Sequence, residues 1–319
     1  MLFLFDILPN PGHIRFTLDL AYLLHEVGYE VYYTDTSDSI FTSGLLRKRI
    51  GRVIYPGDFR WFTPDLVLLD YQLQTKAAFY RQEGVTFIFV SIQLLGCNEP
   101  EGRCAIPIVY LPPSEHTVSP SSPRLGCLLN RLSVQKNESS RIVIASLLEE
   151  GADTPKLIPF YNVIKQSTAL NTHFITLLLT NNKEVVRQLF PLPDNMYIYR
   201  LLDLPTLLPN CDVVLTTGHT DVLIDSIYAH LPTLAYPISS EAEHRRNVIQ
   251  SVKWGISNYG GEIEQITPER FSQQIADIMH HREAMIEKNK QLCTYFEAGK
   301  QDLRKTVEYL IAFIQQNRK

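Results

Sequence analysis

Short apolar runs alternate with segments of helical period along most of the chain. Leu2–Leu8 is almost continuously apolar, as expected of a central parallel strand covered on both faces. From Ile14 to Val27, Phe16, Leu20, Leu23, Leu24 and Val27 share one stripe at helical spacing, and Gly28 supplies a C-terminal cap. Glu30–Thr34 reads as the next strand. The rhythm continues with a strand at Thr63–Asp70, a helix at Gln72–Gln82, a strand at Val85–Ser91 and one more at Ile106–Leu111. Strands alternating with helices predict βαβ units and a parallel sheet.

Gly96 to Ser140 is the least regular stretch, rich in Pro and Ser, with a short helix predicted near Leu125–Leu132. The rhythm resumes with a strand at Arg141–Ser146, a helix from Pro155 to Thr168, a strand at Phe174–Thr180, a helix at Lys183–Phe190 and a strand at Met196–Tyr199. Asp212–Thr216 and Thr233–Tyr236 are strands separated by a helix at Asp221–Ala229, and Glu243–Val252 is helical. Thr267-Pro268-Glu269 has the grammar of a helix start. Two helices are expected beyond it, Phe271–His280 and Glu283–Gln316, the second broken near Gly299. The pattern divides the chain into domains at 1–135 and 136–319.

Composition agrees with this division. A chain of 319 residues suits one large domain or two of about 150. With 45% hydrophobic and 20% charged residues it has ample material for a core. A net charge of −4 excludes a broad nucleic-acid surface, and the basic clusters Arg47-Lys48-Arg49 and Arg245-Arg246 read as solvated faces. Five cysteines without C-x-x-C spacing argue against a zinc site or disulfide framework and for a reducing, cytoplasmic compartment. No apolar run approaches a membrane span, which leaves peripheral membrane contact at most. The opening MLFLFDILPNPGH reads as a buried strand and not as a signal peptide.

The candidate chemistry lies at two strand ends and one turn. Thr217-Gly218-His219-Thr220 joins a strand to a helix, so backbone N–H groups and the positive end of the helix dipole converge where phosphate can bind. His219 and Thr220 add side-chain donors. Asp225, one turn into the helix, is placed to take a ribose hydroxyl, while Glu243 and His244 offer groups suited to a sugar. The plainer alternative is an ordinary βαβ unit with a polar loop. His13 follows the first strand, where open α/β sheets place ligands, or it is simply a polar residue at a helix start. Asp70 ends its strand either as a functional carboxylate or as a cap for the next helix.

The stretch from Asp212 to Val248 resembles the donor-binding signature of UDP-sugar glycosyltransferases with the GT-B fold, the UDP-glucuronosyltransferase-like and macrolide glycosyltransferase-like group. That signature runs D-x-x-V-T-H-G-G-x-x-S-x-x-E-x-L-x-x-G-V-P, then P, a loop and D-Q-x-x-N-A. Here Thr217-Gly218-His219 stands for H-G-G, so the phosphate-contacting histidine is either replaced by Thr217 or shifted to His219. Asp225 stands for the glutamate, His230-Leu231-Pro232 for G-V-P, and Glu243-His244-Arg245-Arg246-Asn247-Val248 for D-Q-x-x-N-A. Near the N-terminus, P-N-P-G-H-I-R-F-T-L-D-L-A is similar to the group's P-x-x-G-H motif, which implies that His13 is the general base for the acceptor hydroxyl. Pro64-Asp65-Leu66-Val67-Leu68-Leu69-Asp70 resembles the strand whose final aspartate orients that histidine.

The resemblance also implies that Ser146 lies near the donor phosphate. Tyr199–Pro209 is similar to the loop that grips uracil, with Leu201 and Leu202 as its candidates or as plain core residues. The implied fold is α/β, two Rossmann-like doubly wound domains facing a central cleft, the last helix crossing back onto the first. The implied activity is inverting transfer of a sugar from a nucleotide-diphosphate sugar, UDP-linked in the group, to a small-molecule or lipid-like acceptor. The donor is a substrate, and neither a metal nor another cofactor is needed. Departures at H-G-G and D-Q keep a degenerate, non-catalytic binding partner as an alternative, and a nucleotide-sugar 2-epimerase as another.

Overall fold

The computed structural model describes residues 1–8, 11–34, 53–54, 63–91, 105–107, 141–148, 154–180, 182–199, 207–238, 242–298 and 303–317. The chain forms two compact units. One comprises Met1–Leu128 with Thr294–Lys319, the other Leu129–Cys293.

Among the described residues the first unit holds six strands: β1 (Leu2–Asp6), β2 (Glu30–Thr34), β3 (Val53–Ile54), β4 (Leu66–Asp70), β5 (Phe87–Ser91) and β6 (Ala105–Pro107). Their order is β3-β2-β1-β4-β5-β6 and every pair is parallel. Phe3 of central β1 aligns with Val31 on one side and Leu66 on the other. Helix α1 (Pro11–Glu26) starts earlier than the apolar stripe suggests, with a proline as its first residue, so His13 lies within a helix and not in a loop. It closes as expected: Gly28, at φ +93°, donates to the His25 carbonyl (3.0 Å), and the Tyr29 N–H reaches Leu24 (3.1 Å). That is the Schellman pattern, which needs a left-handed residue at this point.

The segment expected as one helix over Gln72–Gln82 is instead a 3-10 turn, Tyr71–Lys76, followed by the short helix α2 (Ala77–Gln82). The cause is local. Leu73 leaves helical geometry (φ −97°, ψ 23°), and the Asp70 side chain caps the turn by accepting from the Gln72 N–H. Leu4, Val67, Leu69, Phe87 and Phe89 pack with Ala77 and Tyr80 on one face of the sheet. Each such buried side chain contributes about 1.5–3 kcal/mol. Helix α8 (Leu303–Asn317) lies beside α1 in the same unit and buries Leu303, Val307, Leu310 and Ile314 as one stripe.

The second unit repeats the plan. Its strands are β7 (Ile142–Leu147), β8 (Phe174–Leu179), β9 (Met196–Tyr199), β10 (Val213–Thr216), β11 (Thr233–Ala235) and β12 (Ser257–Tyr259), in the order β12-β11-β10-β7-β8-β9 and all parallel. Counted from its own first strand, this order matches that of the first unit. The helices are α3 (Thr154–Leu170), α4 (Lys183–Leu189), α5 (Thr220–Tyr228), α6 (Ala242–Lys253) and α7 (Pro268–Ala298), which belongs to this unit as far as Cys293. Thr267 accepts from the Arg270 N–H at 3.2 Å, so the predicted cap of α7 is present. The predicted break between His280 and Glu283 is absent, and α7 runs for 31 residues. No glycine or proline stands there to stop it, and its Arg282 approaches Asp212 of the sheet (3.6 Å). The helix expected near Leu125–Leu132, and residues 108–111 of the strand expected at Ile106–Leu111, fall outside the described residues.

In sheets of this order, ligands bind beyond the C-terminal strand ends where the winding reverses. The reversal lies between β1 and β4 in the first unit and between β7 and β10 in the second.

Candidate functional site

His13 and Asp70 straddle the first reversal. Asp70 ends β4 with a fully buried side chain, and its Oδ2 lies 2.7 Å from His13 Nδ1. The same oxygen accepts from the Leu8 N–H (3.2 Å), while Oδ1 accepts from the Gln72 N–H (3.0 Å). Donors on both oxygens fix the plane of the carboxylate. A carboxylate only accepts, so in the neutral imidazole Nδ1 carries the shared proton and Nε2 presents its lone pair. His13 is itself 6% exposed. Asp70 therefore does both things the residues allowed: it caps the following turn and it orients the imidazole.

A second buried acid ends β1. Asp6 accepts from Thr34 Oγ1 (2.5 Å), from Lys76 Nζ at both oxygens (2.8 and 3.1 Å) and from the Tyr80 hydroxyl (2.7 Å). Burial, then the adjacent Asp6 charge, pushes the Tyr80 hydroxyl far above the usual tyrosine range, so it remains a donor. The sequence reading passed over this cluster. Its visible signal was an acid closing an apolar strand, the same signal that drew attention to Asp70. Ser91, which ends β5, is buried and its hydroxyl has no partner among the described residues.

In the second unit, Ser146 on β7 and Thr217 directly after β10 sit at the reversal. Both are buried, and neither hydroxyl has a hydrogen-bond partner among the described residues. A buried hydroxyl left without a partner costs about 1–3 kcal/mol. Gly218 then takes φ +99°, and a Cβ there would lie 2.5 Å from the His244 carbonyl oxygen, so only glycine lets the turn press against α6. The Gly218 N–H donates to Thr216 Oγ1 (3.1 Å), which removes one turn amide from a ligand's reach.

His219 is the N-cap residue of α5, but its side chain does not cap. Its Nδ1 lies 2.6 Å from Asp221 Oδ1, which also accepts the Val222 N–H at 2.7 Å. The protein thus places its own carboxylate in the first turn of α5, next to an imidazole. The rings of His219 and His244 are 4.9 Å apart. Thr220 Oγ1 donates to Glu243 Oε1 (2.9 Å), and Asn247 Nδ2 donates to both the Gly218 carbonyl (3.0 Å) and Thr220 Oγ1 (3.1 Å). Asp225 is buried on α5. The structure therefore brings Thr217, Gly218, His219, Thr220, Glu243 and His244 to one place and adds Asn247, which motif spacing alone did not single out as a site residue. Leu201 and Leu202 fall outside the described residues.

Among the described residues, no group of three or more His, Cys, Asp or Glu side chains is arranged to hold a metal ion, and no helix is long and apolar enough to cross a membrane.

Two parallel sheets of one winding order, each with polar residues at its reversal point, define the class: the chain has the GT-B fold. Solved structures agree along nearly the whole length. The glycosyltransferase of kitacinnamycin superposes with a TM-score of 0.75 over 98% of this chain and 98% of that one, at 15% identity. CalG4, the calicheamicin glycosyltransferase, gives 0.73 over 99% of this chain and 98% of that one, at 13% identity. The spinosyn rhamnosyltransferase SpnG, complexed with thymidine diphosphate, gives 0.62 over 93% and 96%, at 14% identity. At such identities the likeness establishes the fold. No protein-family model and no curated protein matches the sequence.

Proposed function

We propose that this protein is a glycosyltransferase that moves a sugar, with inversion, from a nucleotide-diphosphate sugar to a hydroxyl of a small-molecule or lipid-like acceptor. The observation that carries the reading is the buried His13–Asp70 pair, with Nδ1 and Oδ2 2.7 Å apart at the reversal point of the first sheet. Nε2 takes the acceptor's proton, the acceptor oxygen attacks the anomeric carbon, and the bond from that carbon to the diphosphate breaks. Asp70 stabilises the imidazolium so formed and keeps the ring oriented. The departing nucleoside diphosphate is received in the second unit, where the unpartnered Ser146 and Thr217 hydroxyls and the start of α5 offer donors. Uridine or thymidine diphosphate is the expected leaving group, the latter because SpnG is seen with thymidine diphosphate.

One feature favours a second reading, a binding protein without turnover. Asp221 already occupies the Val222 N–H in the first turn of α5, and its charge opposes a diphosphate. His219, in contact with it, offsets that charge when protonated. Calorimetry with UDP, TDP and UDP-glucose, followed by turnover assays on wild type and His13→Ala, tests both. Nucleotide binding with turnover lost in the variant supports transfer. Binding with no turnover in wild type, across a panel of hydroxyl acceptors, supports the second reading. Absence of nucleotide binding overturns both, and release of free UDP from UDP-glucose without an acceptor points to epimerase chemistry.

A further inference from the structure

The first two turns of α6 hold the 217–220 turn at three points. The Asn247 amide nitrogen has two protons, and both are committed, one to the Gly218 carbonyl (3.0 Å) and one to Thr220 Oγ1 (3.1 Å). The carbonyl partner also fixes the orientation of the amide, because the opposite flip would set oxygen against oxygen. Thr220 has a single hydroxyl proton and directs it to Glu243 Oε1 (2.9 Å). Between these bonds, the absent side chain of Gly218 lets the turn rest against the His244 carbonyl, where a Cβ would come within 2.5 Å. Asn247 and Thr220 are 1% and 4% exposed, so water does not readily replace these contacts.

We infer that Glu243 and Asn247 are positioning residues that set the shape of the 217–220 turn, Glu243 through the oxygen it gives to Thr220. The inference rests on the reading above that this turn receives a nucleoside diphosphate. It adds to what the D-Q-x-x-N-A resemblance implies, since the residue at the first position of that motif spends an oxygen on the turn. The Thr220 hydroxyl is reassigned with it, from phosphate donor to link in the clasp.

The two roles separate on the bare diphosphate. A sugar contact acts only on the sugar nucleotide, whereas a clasp acts on whatever the turn holds. Calorimetry on Glu243→Ala and Asn247→Ala should show UDP and UDP-glucose weakened by the same factor, about tenfold for the loss of a buried hydrogen bond. Glu243→Gln, which keeps an acceptor oxygen for Thr220, should restore most of that loss. Hydrogen exchange on the ligand-free proteins should show faster exchange at residues 217–223 in both alanine variants, with β10 and the rest of α6 unchanged. The inference is overturned if UDP affinity is retained while UDP-glucose affinity falls, or if exchange at the turn does not change. Should wild type bind no nucleoside diphosphate, the functional reading fails on that result, and the exchange measurement alone decides the clasp.

Discussion

The two sheets wind in the same order, yet their reversal points are furnished in opposite ways. Between β1 and β4 the protein buries a carboxylate and satisfies it completely: Asp70 takes one ring N–H and two backbone N–H groups. Between β7 and β10 it buries two neutral hydroxyls, Ser146 and Thr217, and neither has a partner among the described residues. The turn beyond them is held by side chains from α6 together with Thr216 at the end of β10. One topology thus carries a fully bonded His13–Asp70 pair in one unit and two hydroxyls without a partner among the described residues in the other. A satisfied charge can serve as fixed catalytic equipment. An unsatisfied hydroxyl weakens the free protein and gains a partner only when something binds.

The largest expected effect tests the bonded pair. His13→Ala should lower turnover by about 10²–10⁴-fold, the usual worth of a positioned general base, while nucleotide affinity measured by calorimetry stays within about twofold. Equal loss of turnover and nucleotide binding would mean that His13 belongs with the cradle, and the contrast between the units would dissolve. Asp70→Ala should be felt in the fold as well. It strands two backbone N–H groups and an imidazole in a buried place, at a cost of about 3 kcal/mol in urea denaturation. A variant as stable as wild type would show that Asp70 is not the anchor its geometry describes.

Much of this was legible before any coordinates, for physical reasons that differ by residue. Strand ends are visible wherever an apolar run stops at a polar residue, and that is how His13, Asp70 and the 217–220 turn could be placed. The helix closing at Gly28 was legible because only one residue type fits its φ of +93°. What stayed hidden depends on partners far apart in the chain. Asp6 draws its donors from Thr34, Lys76 and Tyr80, 28 to 74 residues away, and no local pattern announces their meeting. Asn247 looked like the tail of a motif until its amide was found bridging Gly218 and Thr220. The length of α7 was missed because one helix was expected to end at His280 and the next to start at Glu283, where no breaker stands.

In the second unit, Gly218→Ala tests the close approach of turn and helix. The substitution brings strain at φ +99° and a collision with the His244 carbonyl. Backbone strain of this kind costs about 1–3 kcal/mol, to be read as a lowered denaturation midpoint together with weakened UDP binding. Retained stability with retained binding would show that the turn can shift away from α6 and that its present shape is not required.

The smallest effect has the most informative sign. Ser146→Ala removes a buried hydroxyl that has no partner among the described residues. The ligand-free protein should therefore gain about 1 kcal/mol of stability, since it no longer buries an unpaired polar group. For a protein of 319 residues that is a rise of about 1–2 °C in Tm. Thr217→Val, nearly equal in shape, should move Tm the same way, and both variants should bind UDP more weakly than wild type. Asp70→Ala and Ser146→Ala each delete one polar group at the end of a buried parallel strand, so opposite signs in a single thermal assay would establish that the two ends do different work. Destabilisation by Ser146→Ala would mean that its hydroxyl is bonded within the free protein, and the second sheet would then be as self-satisfied as the first.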